Sequence, residues 1–132
     1  MNVLIIGGTG TLAHELVPIL LSNPRIHRIR ILSRGEHKQD EMAEKFKGER
    51  LDFFLGDVRD RERVLLASEN CEQMYHLAAH KGVSSAEYNP QECVATNISG
   101  AQNVIYAARK NDVEKVMFTS TDKAVEDRKS VV

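Results

Sequence analysis

The chain has 132 residues, 42% hydrophobic and 28% charged, a composition that excludes intrinsic disorder and gives one domain or part of one. Eighteen Lys and Arg against nineteen Asp and Glu leave a formal net charge of -1, so no broad basic field exists to hold a nucleic-acid backbone or an anionic membrane. Apolar runs such as Val3 to Ile6 and Leu16 to Leu21 fall far short of the roughly 18 residues that a membrane span needs.

Met1 leads straight into a strand-like run with no basic region, apolar core or cleavage site of a secretion signal, so the expected location is the cytoplasm. Asn2 to Ile6 reads as a first strand, stopped by Gly7, Gly8 and Gly10. An apolar stripe at helical spacing follows (Leu12, Leu16, Ile19, Leu20), with Pro18 inside it, where a proline costs about 3 kcal/mol unless a kink absorbs it. The glycine segment Gly7-Gly8-Thr9-Gly10-Thr11-Leu12-Ala13 therefore sits between a strand and a helix, the context of a dinucleotide-binding loop. Helix N-termini present unpaired N–H groups and a positive dipole end, and glycine lets the backbone approach a pyrophosphate closely. A ligand-free tight turn is the alternative.

Ile29 to Leu32 reads as a second strand, Ser33 to Gly35 as a turn, and Glu36 to about Lys47 as a charged helix that Gly48 ends as a C-cap. Ser33 and Arg34 stand where an acidic residue would bind the ribose hydroxyls of NAD and an arginine would take the 2′-phosphate of NADP. Arg34, with Lys38 one helical turn on, favours NADP. The alternative is a pair of solvated charges balanced by Glu36 and Asp40. Leu51 to Leu55 is a third strand, and Asp57 after it is either an adenine contact or the N-cap of a short helix over Asp60 to Ala67.

Gln73 to Ala79 reads as a fourth strand running into a loop. His76 and His80 are four apart, but a strand end and loop do not put them on one helix face, so no metal site is expected. Cys71 and Cys93 are too isolated for a disulfide framework and read as reduced thiols. After Asn89-Pro90, the recurrence of Val94, Ile98, Ala101, Ile105 and Ala108 predicts one long amphipathic helix to about Lys110, and Lys115 to Thr119 a fifth strand. Strands alternating with helices imply a doubly wound α/β fold, a parallel sheet covered on both faces.

Gly7-Gly8-Thr9-Gly10, Ser33-Arg34, Gly56-Asp57-Val58-Arg59-Asp60, His76-Leu77-Ala78-Ala79, Ala86-Glu87-Tyr88-Asn89-Pro90, Thr96-Asn97-Ile98 and Ser120-Thr121-Asp122-Lys123-Ala124 together resemble the extended short-chain dehydrogenase/reductases. Within them the chain is similar to the polysaccharide-biosynthesis branch, the UDP-N-acetylglucosamine 4,6-dehydratases and related 4-epimerases. The resemblance implies a Rossmann-type sheet of about five strands in the order 3-2-1-4-5, truncated, with residues 1–132 forming an incomplete NADP-binding domain. It also implies a retained nicotinamide cofactor, a UDP-sugar as partner substrate, and room for a homo-oligomer. Thr121, Asp122 and Lys123 become the catalytic residues: Lys123 as base at sugar C5, Asp122 as acid toward the departing 6-hydroxyl, Thr121 as hydrogen-bonding partner near O4. From the residues alone, Asp122 and Lys123 read as a solvated loop pair, a reading that the resemblance reverses. The cofactor-binding set comprises Gly7, Thr9, Gly10, Thr11, Leu12, Ser33, Arg34, Lys38, Asp57, Val58, Ala78, Ala79, Lys81, Asn97, Thr119 and Ser120, with Ala78, Ala79 and Lys81 on the nicotinamide side. Asn97 reads equally as a polar packing residue.

Ile6 replaces a usual threonine, Ala13 a glycine, and His80-Lys81-Gly82-Val83 the usual Leu-Lys-His-Val. The family's tyrosine, or methionine in some members, falls eight residues after the Ser-Thr-Asp-Lys lysine; that position is Val131, and the chain stops at Val132. The Tyr-x-x-x-Lys pair and the sugar-nucleotide domain thus lie outside it, and no turnover is expected of these 132 residues. The rival readings are a 4-epimerase and a nucleotide-binding module without chemistry.

Overall fold

The computed structural model describes residues 1–7, 9–77 and 90–119, of which 90–97 by their backbone alone. Among the described residues five strands, β1 (Asn2–Ile6), β2 (Arg28–Ser33), β3 (Leu51–Leu55), β4 (Gln73–His76) and β5 (Lys115–Phe118), alternate with four helices, α1 (Thr11–Leu21), α2 (Glu36–Lys45), α3 (Arg61–Ala67) and α4 (Pro90–Lys110). All pairings are parallel and the order is β3-β2-β1-β4-β5, the expected doubly wound sheet.

β1 runs down the middle of this sheet, and its alternation divides the core. Leu4 and Ile6 pack on one face with Leu32, Val64, Met74, Val104 and Ala107, beneath α3 and α4. Val3 and Ile5 pack on the other with Ala13, Val17, Ile29, Ile31 and Met42, beneath α1 and α2. A strand buried on both faces reads as a continuous apolar run, which is why Val3 to Ile6 carries no polar residue.

Two helix stripes differ from their sequence reading. α1 buries Ala13, Val17 and Leu20, while Leu12 and Ile19 lie exposed. Pro18 is also exposed, and the helix carries on past it to Leu21. In α4 the buried side is Gly100, Val104, Ala107 and Ala108, while Ile98 and Ile105 are exposed. Small residues let these helices sit close to the sheet, so the bulky residues beside them turn away. α2 ends at Lys45 with Phe46 as its cap; Gly48 takes the left-handed conformation, φ 85°, two residues beyond the cap. The cap of α3 is Asp60, whose carboxylate accepts from the Arg63 N–H at 3.2 Å, and this replaces the N-cap alternative for Asp57. Cys71 is buried and unpaired, its thiol pushed up to about 11 by burial; Cys93 lies outside the side chains described.

Candidate functional site

Because every strand runs the same way, their carboxyl ends form one rim, and hydrogen bonds stitch it end to end. Thr119 N–H donates to the His76 carbonyl at 3.2 Å, Leu77 N–H to Ile6 at 2.8 Å, Gly7 N–H to Leu32 at 2.8 Å and Gly56 N–H to Ser33 at 2.9 Å. Gly7, Ser33 and Thr119, three of the expected site residues, are thereby set in one row. Open α/β sheets hold ligands in this position.

At the centre of the row, Gly7 turns the chain with φ 80°, a conformation that favours glycine. Gly10 is the cap of α1, in extended backbone, and no side chain caps the helix; its first turn holds no acidic residue. Among the described residues, a Cβ built on Gly10 would meet only the Gly7 carbonyl oxygen, at 3.9 Å. The described residues leave that space open. Thr9 is half-buried while Gly10, Thr11 and Leu12 are exposed around it, and Ala13 is buried under the helix. The result is a helix N-terminus with free N–H groups and clear access, suited to an anion such as a pyrophosphate.

Next to it, Arg34 just after the end of β2 and Lys38 in the first turn of α2 are both exposed. Arg34 faces Asp57 across the sheet at 3.9 Å rather than Glu36 or Asp40, and Lys38 makes no ion pair among the described residues. Asp57 is itself held by Arg59, whose Nη2 lies 2.8 Å from Oδ2 and whose backbone N–H donates to Oδ1 at 2.9 Å. The hydrogen bond from Arg59 holds the Asp57 carboxyl below the usual carboxylate range against the opposing effect of burial. Arg34 is therefore the outer, loosely held cation of this trio. It can exchange its distant carboxylate for a phosphate.

Sequence reasoning missed three residues that shape this rim. Gln39, buried on α2, donates to the Ser33 Oγ at 2.9 Å and to the Phe54 carbonyl at 2.8 Å. Asn103 on α4 donates to the Val58 carbonyl at 2.9 Å and fixes the loop that follows β3. Gly56 has no room for a side chain, since a Cβ there would collide with the Arg63 Cγ and lie 3.0 Å from the Leu32 Cδ1. Gln39 and Asn103 belong to no motif, and Gly56 heads the Gly56-Asp57-Val58-Arg59-Asp60 segment without having been read as a site residue; the partners of Gln39 and Asn103 on other elements are distant in sequence.

His76, at the end of β4, is 5% exposed and stacks edge-on against Phe118 at 5.5 Å. Burial pulls its imidazole down to about 4, and its Nδ1 has no partner among the described residues. Neutral at physiological pH, it serves packing between the sheet and α4, where Gly100 passes close to Val58. His80 lies outside the described residues, within which no three metal-ligating side chains cluster. Ala78, Ala79, Lys81, Ser120, Thr121, Asp122 and Lys123 also lie outside them, and of Asn97 only the backbone, within α4, is described. Among the described residues no helix is long and apolar enough to cross a membrane.

A family model described as a polysaccharide biosynthesis protein matches residues 3–131. A UDP-N-acetylglucosamine 4,6-dehydratase (inverting) of Campylobacter jejuni is 49% identical over 93% of this chain and 37% of its own length. A UDP-glucose 4-epimerase of Rickettsia canadensis is 40% identical over 94% of the chain and 37% of its own length. Among solved structures, Pen from Bacillus thuringiensis superposes with a TM-score of 0.85 at 45% identity, covering 90% of this chain and 36% of that one. The chain thus spans a little over a third of the length of the relatives it matches.

Proposed function

Because this chain belongs to the polysaccharide biosynthesis protein family, within the extended short-chain dehydrogenase/reductases, we propose that it is the NADP-binding part of a UDP-N-acetylglucosamine 4,6-dehydratase. The observation that carries the cofactor half of this reading is the rim itself. A glycine-capped helix N-terminus with open space stands beside an arginine and a lysine, and no carboxylate occupies the end of β2. The similarity to the Campylobacter jejuni dehydratase supports the reaction half.

In this reading the Gly7 to Leu12 turn holds the pyrophosphate, with Thr9 and Thr11 beside it. Ser33, Arg34 and Lys38 hold the 2′-phosphate, and Asp57 and Val58 border the adenine. Ala78, Ala79 and Lys81 line the nicotinamide side, and Asn97, Thr119 and Ser120 complete the cofactor-binding set. When bound, the nicotinamide supplies an acceptor for hydride from sugar C4, the same hydride later being delivered to C6. Lys123 takes the C5 proton that the 4-keto group acidifies, Asp122 protonates the departing C6 hydroxyl, and Thr121 hydrogen-bonds near O4. A lysine and a carboxylate side by side tune each other for such proton transfer. The work is done in the cytoplasm on a UDP-sugar, with room for a homo-oligomer. Residues 1–132 alone bind cofactor without turning over.

A second reading, a sugar-nucleotide 4-epimerase, is favoured by the 40% identity to the Rickettsia canadensis protein. It returns hydride to C4 and eliminates no water. Incubating the full-length protein with UDP-N-acetylglucosamine separates the two. A 4-keto-6-deoxy product supports dehydration, recovery of only the C4 epimer supports the second reading, and no turnover overturns both.

A further inference from the structure

Gln39 is a polar side chain 6% exposed, set on the inner side of α2 against the ends of β2 and β3. Its Nε2 has the Phe54 carbonyl at 2.8 Å, the Ser33 Oγ at 2.9 Å and the Ser33 carbonyl at 3.5 Å. Two of these three partners are carbonyl oxygens that only accept, so the amide nitrogen must be the end that faces them. The Ser33 hydroxyl is then an acceptor on its inner side. Its one proton is left to give outward.

We infer that Gln39 is a positioning residue that fixes Ser33 as a hydrogen-bond donor at the end of β2 and thereby favours a phosphate-bearing ribose over one with a free 2′-hydroxyl. The inference rests on the reading of this rim as the seat of the NADP 2′-phosphate. An ionised phosphate offers acceptors only, whereas a ribose hydroxyl both gives and accepts and is indifferent to the polarity of its partner. The surroundings keep the polarity from relaxing. Ser33 is 8% exposed, its carbonyl is held by the Gly56 N–H at 2.9 Å, and the Gln39 N–H is anchored on the Gly35 carbonyl at 3.1 Å. Arg34 adds the charge; Gln39 and Ser33 add the direction.

The test is a calorimetric titration of the full-length protein with NADP⁺ and with NAD⁺, in wild type, Gln39→Met, Ser33→Ala and the double variant. Gln39→Met keeps the volume and removes both donors, and it is expected to weaken NADP⁺ about tenfold and NAD⁺ less than about threefold. In the Ser33→Ala background the same change should leave the ratio of the two affinities where it was, because the two residues act as one unit. If Gln39→Met does not fold, Ser33→Ala carries the test alone: it keeps the Gln39 bond to Phe54 and must lower the same ratio. Equal losses for both cofactors would mean a purely structural role and overturn the inference. So would an unchanged ratio in a protein that still prefers NADP⁺ through Arg34. A wild type without NADP⁺ preference, or one that binds neither cofactor, overturns the underlying reading as well.

Discussion

Replacing Gly10 by alanine separates what the protein needs at the start of α1 from what its ligand needs. Among the described residues the new Cβ meets nothing nearer than the Gly7 carbonyl oxygen at 3.9 Å, and φ -81° with ψ 179° is backbone that any residue adopts. Alanine is a poorer helix cap than glycine, but it also restricts the unfolded chain, a gain of about 0.4–1 kcal/mol. The two nearly cancel, so stability should stay within about 1 kcal/mol of wild type in urea unfolding. Binding should weaken. A phosphate oxygen must come within about 2.7–2.9 Å of the N–H groups at this end, and a methyl group stands in its way. Losing one or two charge-assisted bonds of about 1.5–3 kcal/mol weakens NADP⁺ at least tenfold. Calorimetric titration reads the affinity, urea unfolding the stability. NADP⁺ affinity within twofold of wild type would refute the glycine cradle; a stability loss above about 2 kcal/mol would refute the reading of open space.

Gly56→Ala should do the reverse in stability. Leu32 is buried and cannot retreat, and Arg63 can do so only by giving up its 2.7 Å bond to the Leu55 carbonyl, so a loss of about 2–3 kcal/mol is expected in urea unfolding. Lowering the pH should weaken the fold through His76. Unfolded, its imidazole takes a proton near 6.5; folded, it stays neutral down to about 4, so the native state binds fewer protons across that window. Stability is therefore full above pH 6.5 and falls toward pH 4, by about 3 kcal/mol from this group. His76→Asn should flatten that part of the curve measured by urea unfolding at a series of pH values, and an unchanged slope would contradict it.

The central strand was readable because a fully buried parallel strand is short and apolar, as Val3 to Ile6 is, whereas the order of the sheet came with the family resemblance. The inward faces of the helices were harder. Leu12, Ile19, Ile98 and Ile105 seemed obvious core residues by their bulk, yet α1 and α4 approach the sheet through Ala13, Gly100 and Ala107, and bulk is excluded where backbones come close. The glycine turn and the Ser33-Arg34 corner were legible as local patterns in the right context. What held them was not. Gln39 reaching Phe54, Asn103 reaching Val58, and Arg34 facing Asp57 rather than Glu36 all depend on which strand ends become neighbours. The choice of Asp60 over Asp57 as helix cap turned on three residues of phase.

The central claim, that this rim holds a nicotinamide dinucleotide and prefers the one with a 2′-phosphate, meets its most direct test in one titration. Wild type and Arg34→Ala are each titrated with NADP⁺ and NAD⁺ at one fixed salt concentration. The expected result is NADP⁺ binding at least tenfold tighter than NAD⁺ in wild type, a preference that Arg34→Ala removes by weakening NADP⁺ while leaving NAD⁺ nearly unchanged. Equal affinity for the two cofactors in wild type, or a preference that persists without Arg34, would contradict it.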